Sequence, residues 1–182
     1  LPVQIVEGDI LDNESMVKIV REQDGVVHLA ANSGVPQSLL EPRLDFEANA
    51  LGTLNVLEAC RACLPGRAIK FVMASSSAPL GRQKPPIRED IAPLPISPYG
   101  ASKLAAEGYC LAYHGSWGLP TIALRFSNAY GPFSGHKTSV VAVYFRNILS
   151  GQTLAVEGGG NQTRDFIYVD DICRAIEAAL GS

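Results

Sequence analysis

The sequence predicts an α/β protein in which a parallel β-sheet is covered by helices. Three observations lead there. Strand-like and helical patterns alternate along the chain. The strand-like runs are short and nearly unbroken in apolar residues, as strands buried on both faces are. The chain has 182 residues, 47% of them apolar, enough to bury a core. Taken in order, Val3-Gln4-Ile5-Val6 is a short strand-like run followed by the turn Glu7-Gly8-Asp9, and Ser15 to Arg21 reads as a helix. Gly25-Val26-Val27-His28-Leu29-Ala30 is a near-continuous apolar strand, and a long helical pattern covers about Pro42 to Cys63. Ile69 to Ala74 is the next strand, followed by a proline-rich loop from Pro79 to Pro98, a helix from Tyr99 to Tyr113 and a strand from Thr121 to Phe126.

The pattern changes after Gly131-Pro132. A helix from about Ser139 to Leu149 leads to Leu154-Ala155-Val156 and a glycine turn at Gly158-Gly159-Gly160. Strand-like Phe166-Ile167-Tyr168-Val169 then precedes a helix starting near Asp170, which reads as the beginning of a second lobe. There is no internal repeat or low-complexity tract.

Composition narrows the function classes. The formal net charge is −3 with no basic block, which argues against a nucleic-acid partner. No apolar run reaches the roughly 18 residues of a membrane span, so no membrane association is expected. The chain opens on Leu1-Pro2 rather than Met and reads as a segment of a longer protein. Cys60 and Cys63 form a C-x-x-C, open to a redox or zinc reading. However, LNVLEACRACL is an amphipathic helix, and no second C-x-x-C or nearby His pair completes a metal site. Ordinary helix cysteines and a reducing cytoplasm are the expectation.

The residues with the strongest chemical signal are Tyr99-Gly-Ala-Ser-Lys103. Side chains four apart share a helix face, so a lysine ammonium lies on the same side as the phenol. A nearby cation favours phenolate, lowers the tyrosine pKa and makes it a usable proton acceptor. Alone, the spacing also fits a surface pair without function. Ser75-Ser76-Ser77 strengthens the functional reading, because it closes the preceding strand at its carboxyl end, where parallel α/β sheets bind ligands. A hydroxyl there can reach a substrate oxygen.

With these motifs in view, the chain resembles the extended short-chain dehydrogenase/reductases, in particular the NAD-dependent epimerase/dehydratase family of UDP-glucose 4-epimerase-like enzymes. Glu7-Gly8-Asp9-Ile10 resembles its adenine-contacting turn, and Val27-His28-Leu29-Ala30-Ala31 its fourth-strand cofactor motif. Asn49-Ala-Leu-Gly-Thr53-Leu-Asn55-Val-Leu-Glu58-Ala resembles its helix motif, and Ser-Pro-Tyr99-Gly-Ala-Ser-Lys103 its catalytic signature. Leu124-Arg125-Phe126-Ser127-Asn128-Ala-Tyr130-Gly131-Pro132 and Thr163-Arg164-Asp165-Phe166-Ile167-Tyr168-Val169-Asp170-Asp171 complete the set in order.

The resemblance implies a Rossmann-like doubly wound parallel sheet lacking its first βαβ unit, with the start of a small substrate-binding lobe. The division would fall as a partial NAD-binding domain over 1–131 and a partial lobe over 132–182. It implies Tyr99 as acid/base and Lys103 as its tuner, with Ser76 as the catalytic hydroxyl; Ser75 and Ser77 stay open, because the loop S-S-S-A-P-L-G lacks the family's usual tyrosine. NAD would be held by Asp9, Ile10, Leu29, Ala30, Ala31, Asn49, Tyr99 and Lys103. A nucleotide-diphosphate sugar would be held by Ser77, Asn128 and Arg164, an arginine fork suiting phosphate oxygens. Arg164 paired with Asp165 or Asp170 is the alternative. A homodimer is implied through the helices at 42–63 and 99–113, whose second faces carry Leu51, Leu54, Leu104, Leu111 and Ala112.

The glycine-rich turn that binds the cofactor pyrophosphate is missing from the segment, so the segment alone is expected to bind NAD weakly. As to the reaction, family 4,6-dehydratases carry an Asp-Glu pair directly after the catalytic hydroxyl, whereas Ser77 and Ala78 stand here. Epimerisation at C4 through a 4-keto sugar needs neither carboxylate and is the expected activity. A dehydratase or reductase on the same scaffold, and a truncated or cofactor-sensing silent relative, are the alternatives.

Overall fold

The computed structural model describes residues 3–64, 66–67, 69–156 and 158–182. They form two compact units, one of residues up to Arg125 together with Ala179–Ser182, the other Phe126–Ala178.

The first unit is built on a three-stranded sheet of order β1-β2-β3, with β1 at Gly25–His28, β2 at Lys70–Ser76 and β3 at Thr121–Phe126. β1 and β2 are parallel, with Val27 opposite Val72. The central position of β2 explains its apolar run, since Phe71, Val72 and Met73 are buried from both sides. Helix α1 (Asn13–Val20) starts where Asp12 caps Ser15 N at 3.2 Å. Its Met16 and Val20 join a core with Val56, Leu57, Cys60, Ile69, Ala106, Tyr113 and Leu119.

A short helix α2 (Val35–Leu40), opened by Pro36 in its first turn, lies in a stretch with no helical expectation. The helix expected over 42–63 runs without interruption from Pro42 to Ala62, as α3 (Pro42–Phe46), a π turn at Glu47–Leu51 and α4 (Gly52–Ala62). The Thr53 hydroxyl donates to the Asn49 carbonyl at 2.6 Å, and such back-bonding competes with the regular helix ladder. Helix α5 runs Pro98–Trp117, four residues past the expected end. Ser97 caps Gly100 N at 3.1 Å, Pro98 opens the first turn, and Gly118, at φ 69°, ends the helix.

The run Val3–Val6, expected as a strand, forms none. Val3 and Ile5 are 85% and 92% exposed, and among the described residues no strand pairs with this run. A strand needs a ladder partner, which an apolar run does not itself supply. β1 likewise ends at His28, leaving Leu29 and Ala30 outside it.

In the second unit, β4 (Asn128–Tyr130) pairs in parallel with β5 (Phe166–Tyr168), Ala129 opposite Ile167. Helix α6 (Val140–Leu149) and the glycine turn Gly158–Gly160 lie between them, and Leu154–Val156 has no regular structure. Helix α7 begins at Val169 and runs to Gly181, with Asp170 and Asp171 in its first turn.

Candidate active site

Two chain segments meet at the carboxyl end of β2. The strand carries Ser75 and Ser76, and a tight 3-10 turn at Ala78–Leu80 sends the chain away. The start of α5 lies against that turn. A Cβ on Gly100 would sit 2.7 Å from the Ala78 carbonyl oxygen, so only glycine lets the two backbones come this close. Gly81 closes the turn at φ 66°, where an added Cβ would run into the Leu94 carbonyl at 1.9 Å. Glycines at these two points therefore bring Tyr99 beside the serines.

The three serines, equivalent in sequence, have different surroundings. Ser75 is buried and its hydroxyl donates to Glu107 on α5. Ser76 faces the Tyr99 phenol and accepts from Ala78 N at 3.2 Å. Ser77 is exposed. Burial holds the Tyr99 phenol above its ordinary value; the Ser76 hydrogen bond works downward and the charge of Asp45 upward. The expected lowering of this phenol by Lys103 is not among these influences. Lys103 is 5% exposed, and its Nζ donates to the Ala74 carbonyl on β2 at 3.0 Å. Burial pushes its ammonium down, opposed by Asp45 and Glu107. The Lys103 ammonium is held instead by a backbone carbonyl at the end of β2.

Two buried polar clusters flank the pair. In the first, Asp45 of α3 accepts from the Ser102 hydroxyl at 2.6 Å and from Asn49 Nδ2 at 3.1 Å, while Asn49 Oδ1 accepts from Asn32 N at 2.8 Å. The π turn points Asn49 inward to do this. In the second, Arg125 of β3 grips Glu107 through Nε at 3.0 and 3.2 Å and through Nη2 at 2.7 Å. His28, at the end of β1, pairs its Nε2 with the Thr53 hydroxyl at 3.0 Å. Burial, then the Lys103 charge, pushes that imidazole down to about 4. Sequence reading assigned no role to Asp45, Glu107 or Arg125. The four-residue spacings Asp45–Asn49 and Lys103–Glu107 were the available signal.

Of the other expected cofactor residues, Leu29, Ala30 and Ala31 lie exposed just past the carboxyl end of β1. Asp9 uses its carboxylate on Leu11 N at 2.8 Å. Asn55 of α4 donates to the Ile10 carbonyl at 3.0 Å, so the Asp9–Ile10 turn is tied to α4. The ammonium of Lys103, with three N–H groups, makes one hydrogen bond among the described residues, which leaves donors for the hydroxyls of a cofactor ribose. In the second unit, Asn128 is engaged with the Asp165 carbonyl through both its backbone N–H (3.2 Å) and its Nδ2 (3.0 Å). Arg164 is exposed, donates to the Thr163 carbonyl at 2.8 Å, and among the described residues forms no ion pair with Asp165 or Asp170. The C-x-x-C lies elsewhere: Cys60 is in the core, its thiol pushed up to about 12, and Cys63 donates to the Ala59 carbonyl. No helix among the described residues is long and apolar enough to cross a membrane.

The comparisons with known proteins agree with one another. The model of the NAD dependent epimerase/dehydratase family matches residues 1–182. The chain is 35% identical to a putative UDP-glucose 4-epimerase of Methanocaldococcus jannaschii, over 97% of this chain and 59% of that protein. It is 32% identical to a dTDP-glucose 4,6-dehydratase of Streptomyces niveus, over 97% of this chain and 52% of that one. Among solved structures, the UDP-glucuronic acid 4-epimerase of Bacillus cereus, in complex with UDP-glucuronic acid and NAD, superposes with a TM-score of 0.86 at 34% identity. That match covers 96% of this chain and 55% of the other. The chain thus spans between half and three fifths of the length of these relatives.

Proposed function

Because the chain belongs to the NAD-dependent epimerase/dehydratase family, we propose that the full-length protein acts on a nucleotide-diphosphate sugar, interconverting epimers at C4 through a 4-keto sugar. The observation that carries the choice of epimerase is the state of the carboxylates around Tyr99. Water elimination needs an acid and a base free to carry protons. Asp45 is occupied by Ser102 and Asn49, and Glu107 by Arg125 and Ser75. Glu89 and Asp90 are exposed in the proline-rich loop, Asp90 lying 3.7 Å from Arg88. What remains is one phenol, one hydroxyl and one ammonium.

In this reading Tyr99 takes the proton of the sugar C4 hydroxyl and returns it. Ser76 holds the same oxygen by a hydrogen bond, fixing it within reach of the phenol. Lys103 spends its remaining N–H donors on the ribose hydroxyls of the cofactor, with Asp9, Ile10, Leu29, Ala30, Ala31 and Asn49 forming the rest of its bed. NAD, when bound, supplies the hydride acceptor and, in oxidised form, a positive charge in the site. Ser77, Asn128 and Arg164 hold the substrate, the latter two at its diphosphate, and residues 1–131 and 132–182 are the cofactor and substrate parts. The exposed Leu51 and Leu111, on α4's approach and α5, belong to a homodimer face of a cytoplasmic enzyme.

The test is Tyr99→Phe in the full-length protein. Loss of the proton carrier lowers turnover of UDP-sugar 4-epimerisation by about 10² to 10⁴, while NAD retention stays unchanged. Turnover within twofold of the parent would remove Tyr99 from this role.

A further inference from the structure

A count of donors at the end of β1 fixes where a buried histidine carries its proton. The Thr53 hydroxyl lies 2.6 Å from the Asn49 carbonyl oxygen. Two oxygens that close need a proton between them, and the carbonyl has none, so the hydroxyl gives its only hydrogen there. His28 Nε2 stands 3.0 Å from the same hydroxyl. With that hydrogen already spent, the ring nitrogen donates and the hydroxyl accepts. His28 is 5% exposed, and burial, then the charge of Lys103, keeps its imidazole neutral near pH 7. The proton of the neutral ring is therefore on Nε2 and the lone pair on Nδ1.

The same stretch of helix holds the chain a second time, at Asn32. The Asn49 side chain gives its amide hydrogens to Asp45 and to Ser102, at 3.1 Å each, and its Oδ1 accepts from Asn32 N at 2.8 Å. Asn49 and Thr53 are both 1% exposed, so these contacts are shielded from water. Residues 28 and 32 are thus pinned to one turn of helix, and residues 29–31 run exposed between them like a strap between two pegs. Further along, Asn55 of α4 donates to the Ile10 and Leu11 carbonyls at 3.0 and 3.2 Å, which fastens the turn at residues 9–11 to the same helix.

We propose that His28 is a positioning residue: as the Nε2–H tautomer seated on Thr53, it fixes one end of the strap at residues 29–31, whose other end Asn49 fixes at Asn32, so that the strap meets a cofactor already in shape. The proposal deepens the enzyme reading above and rests on it in one respect, that residues 29–31 belong to the bed of a dinucleotide. A strap set in advance loses less freedom when the ligand binds, and that difference appears as affinity.

The experiment uses the full-length protein in three measurements. The first is the 15N spectrum of the His28 ring near pH 7, assigned through bonds from its own backbone. A protonated Nε2 and a bare Nδ1 are expected, and a bare Nε2 overturns the proposal. The second is amide hydrogen exchange. Thr53→Val keeps the shape and removes the hydroxyl, and it speeds exchange at Asn32 about tenfold, whereas Thr53→Ser stays within about threefold of the parent. The amide of Phe71, which donates to the Pro120 carbonyl at 2.8 Å, is the control. An equal gain there would mean a general loss of stability and would overturn the positioning role. The third is NAD affinity, which weakens about tenfold in Thr53→Val and returns in Thr53→Ser. Unchanged affinity in a folded Thr53→Val overturns the proposal. If Thr53→Val does not fold, the parent decides: an Asn32 amide exchanging as fast as an open chain shows that the strap is not held. Failure here leaves the enzyme reading standing, since that reading fails only on the activity of Tyr99→Phe.

Discussion

The Glu107–Arg125 pair joins α5 to β3, and through Ser75 to β2, so its loss is expected to loosen the frame that holds the site. The carboxyl side of the pair is 7% exposed and the guanidinium side 24%. Glu107→Leu strands three arginine contacts and the Ser75 hydroxyl. Breaking one side of a buried ion pair costs about 3–5 kcal/mol, and water reaching a quarter of Arg125 recovers part of that, which places the expected loss near 3 kcal/mol. Arg125→Met leaves the more buried partner uncompensated and costs at least as much. The double variant Glu107→Leu/Arg125→Met replaces the pair with apolar groups of similar size, and its loss stays near 2 kcal/mol, chiefly the orphaned hydroxyl. The two changes are therefore non-additive by at least about 2 kcal/mol. Urea unfolding measures this through the fluorescence of Trp117, the single tryptophan, whose ring centre lies 4.7 Å from that of Tyr113 in the same unit. Single losses below about 1 kcal/mol that sum to the double within about 0.5 kcal/mol would refute the reasoning.

His28 is held neutral by burial, its pKa down at about 4 against an ordinary 6.5. Between those values the unfolded chain binds a proton that the folded one excludes, so stability falls as pH falls, by about 1.4 kcal/mol per pH unit at most. Urea unfolding at pH 6.5 and 5.0 measures the slope, and His28→Gln is expected to flatten it. Gly100→Ala pushes a Cβ to within 2.7 Å of the Ala78 carbonyl and costs about 1–3 kcal/mol; an unchanged urea midpoint would show that the turn yields freely. Thiol titration of the folded chain labels exposed Cys173 at once, while Cys60 and Cys110, both buried and both pushed up to about 12, react only on unfolding; immediate reaction of all of them would contradict the packing of α4 and α5.

Much of the frame was legible because burial on both faces leaves a plain mark. Phe71 to Met73 reads as a strand since no side of it meets water, and Tyr99 to Lys103 reads as a helical pair by spacing alone. The failures share a different cause. Val3 to Val6 has the composition of a strand, but pairing is a property of two segments, and none of the described residues pairs with it. The π turn within the helix over 42–63 goes with a threonine hydroxyl bonded to a carbonyl four residues back, which composition does not announce. Asp45 met Ser102 across 57 positions of sequence, and Glu107 met Arg125 across 18, so neither partnership had a local signature. The choice among Ser75, Ser76 and Ser77 likewise waited for geometry: three identical letters face, in turn, a carboxylate, a phenol and solvent.

The π turn between α3 and α4 also acts as a phase slip. An α-helix advances about 100° per residue, and a π turn takes up one extra residue without lengthening the path. Side chains before and after Glu47–Leu51 are therefore out of step by about that angle. A single-residue deletion at Ala48 would restore the regular α-helical ladder and leave both ends capable of forming. It would also swing Asp45 about a quarter turn relative to Thr53 and Val56, so the deletion would spare the helix and misalign what the helix carries.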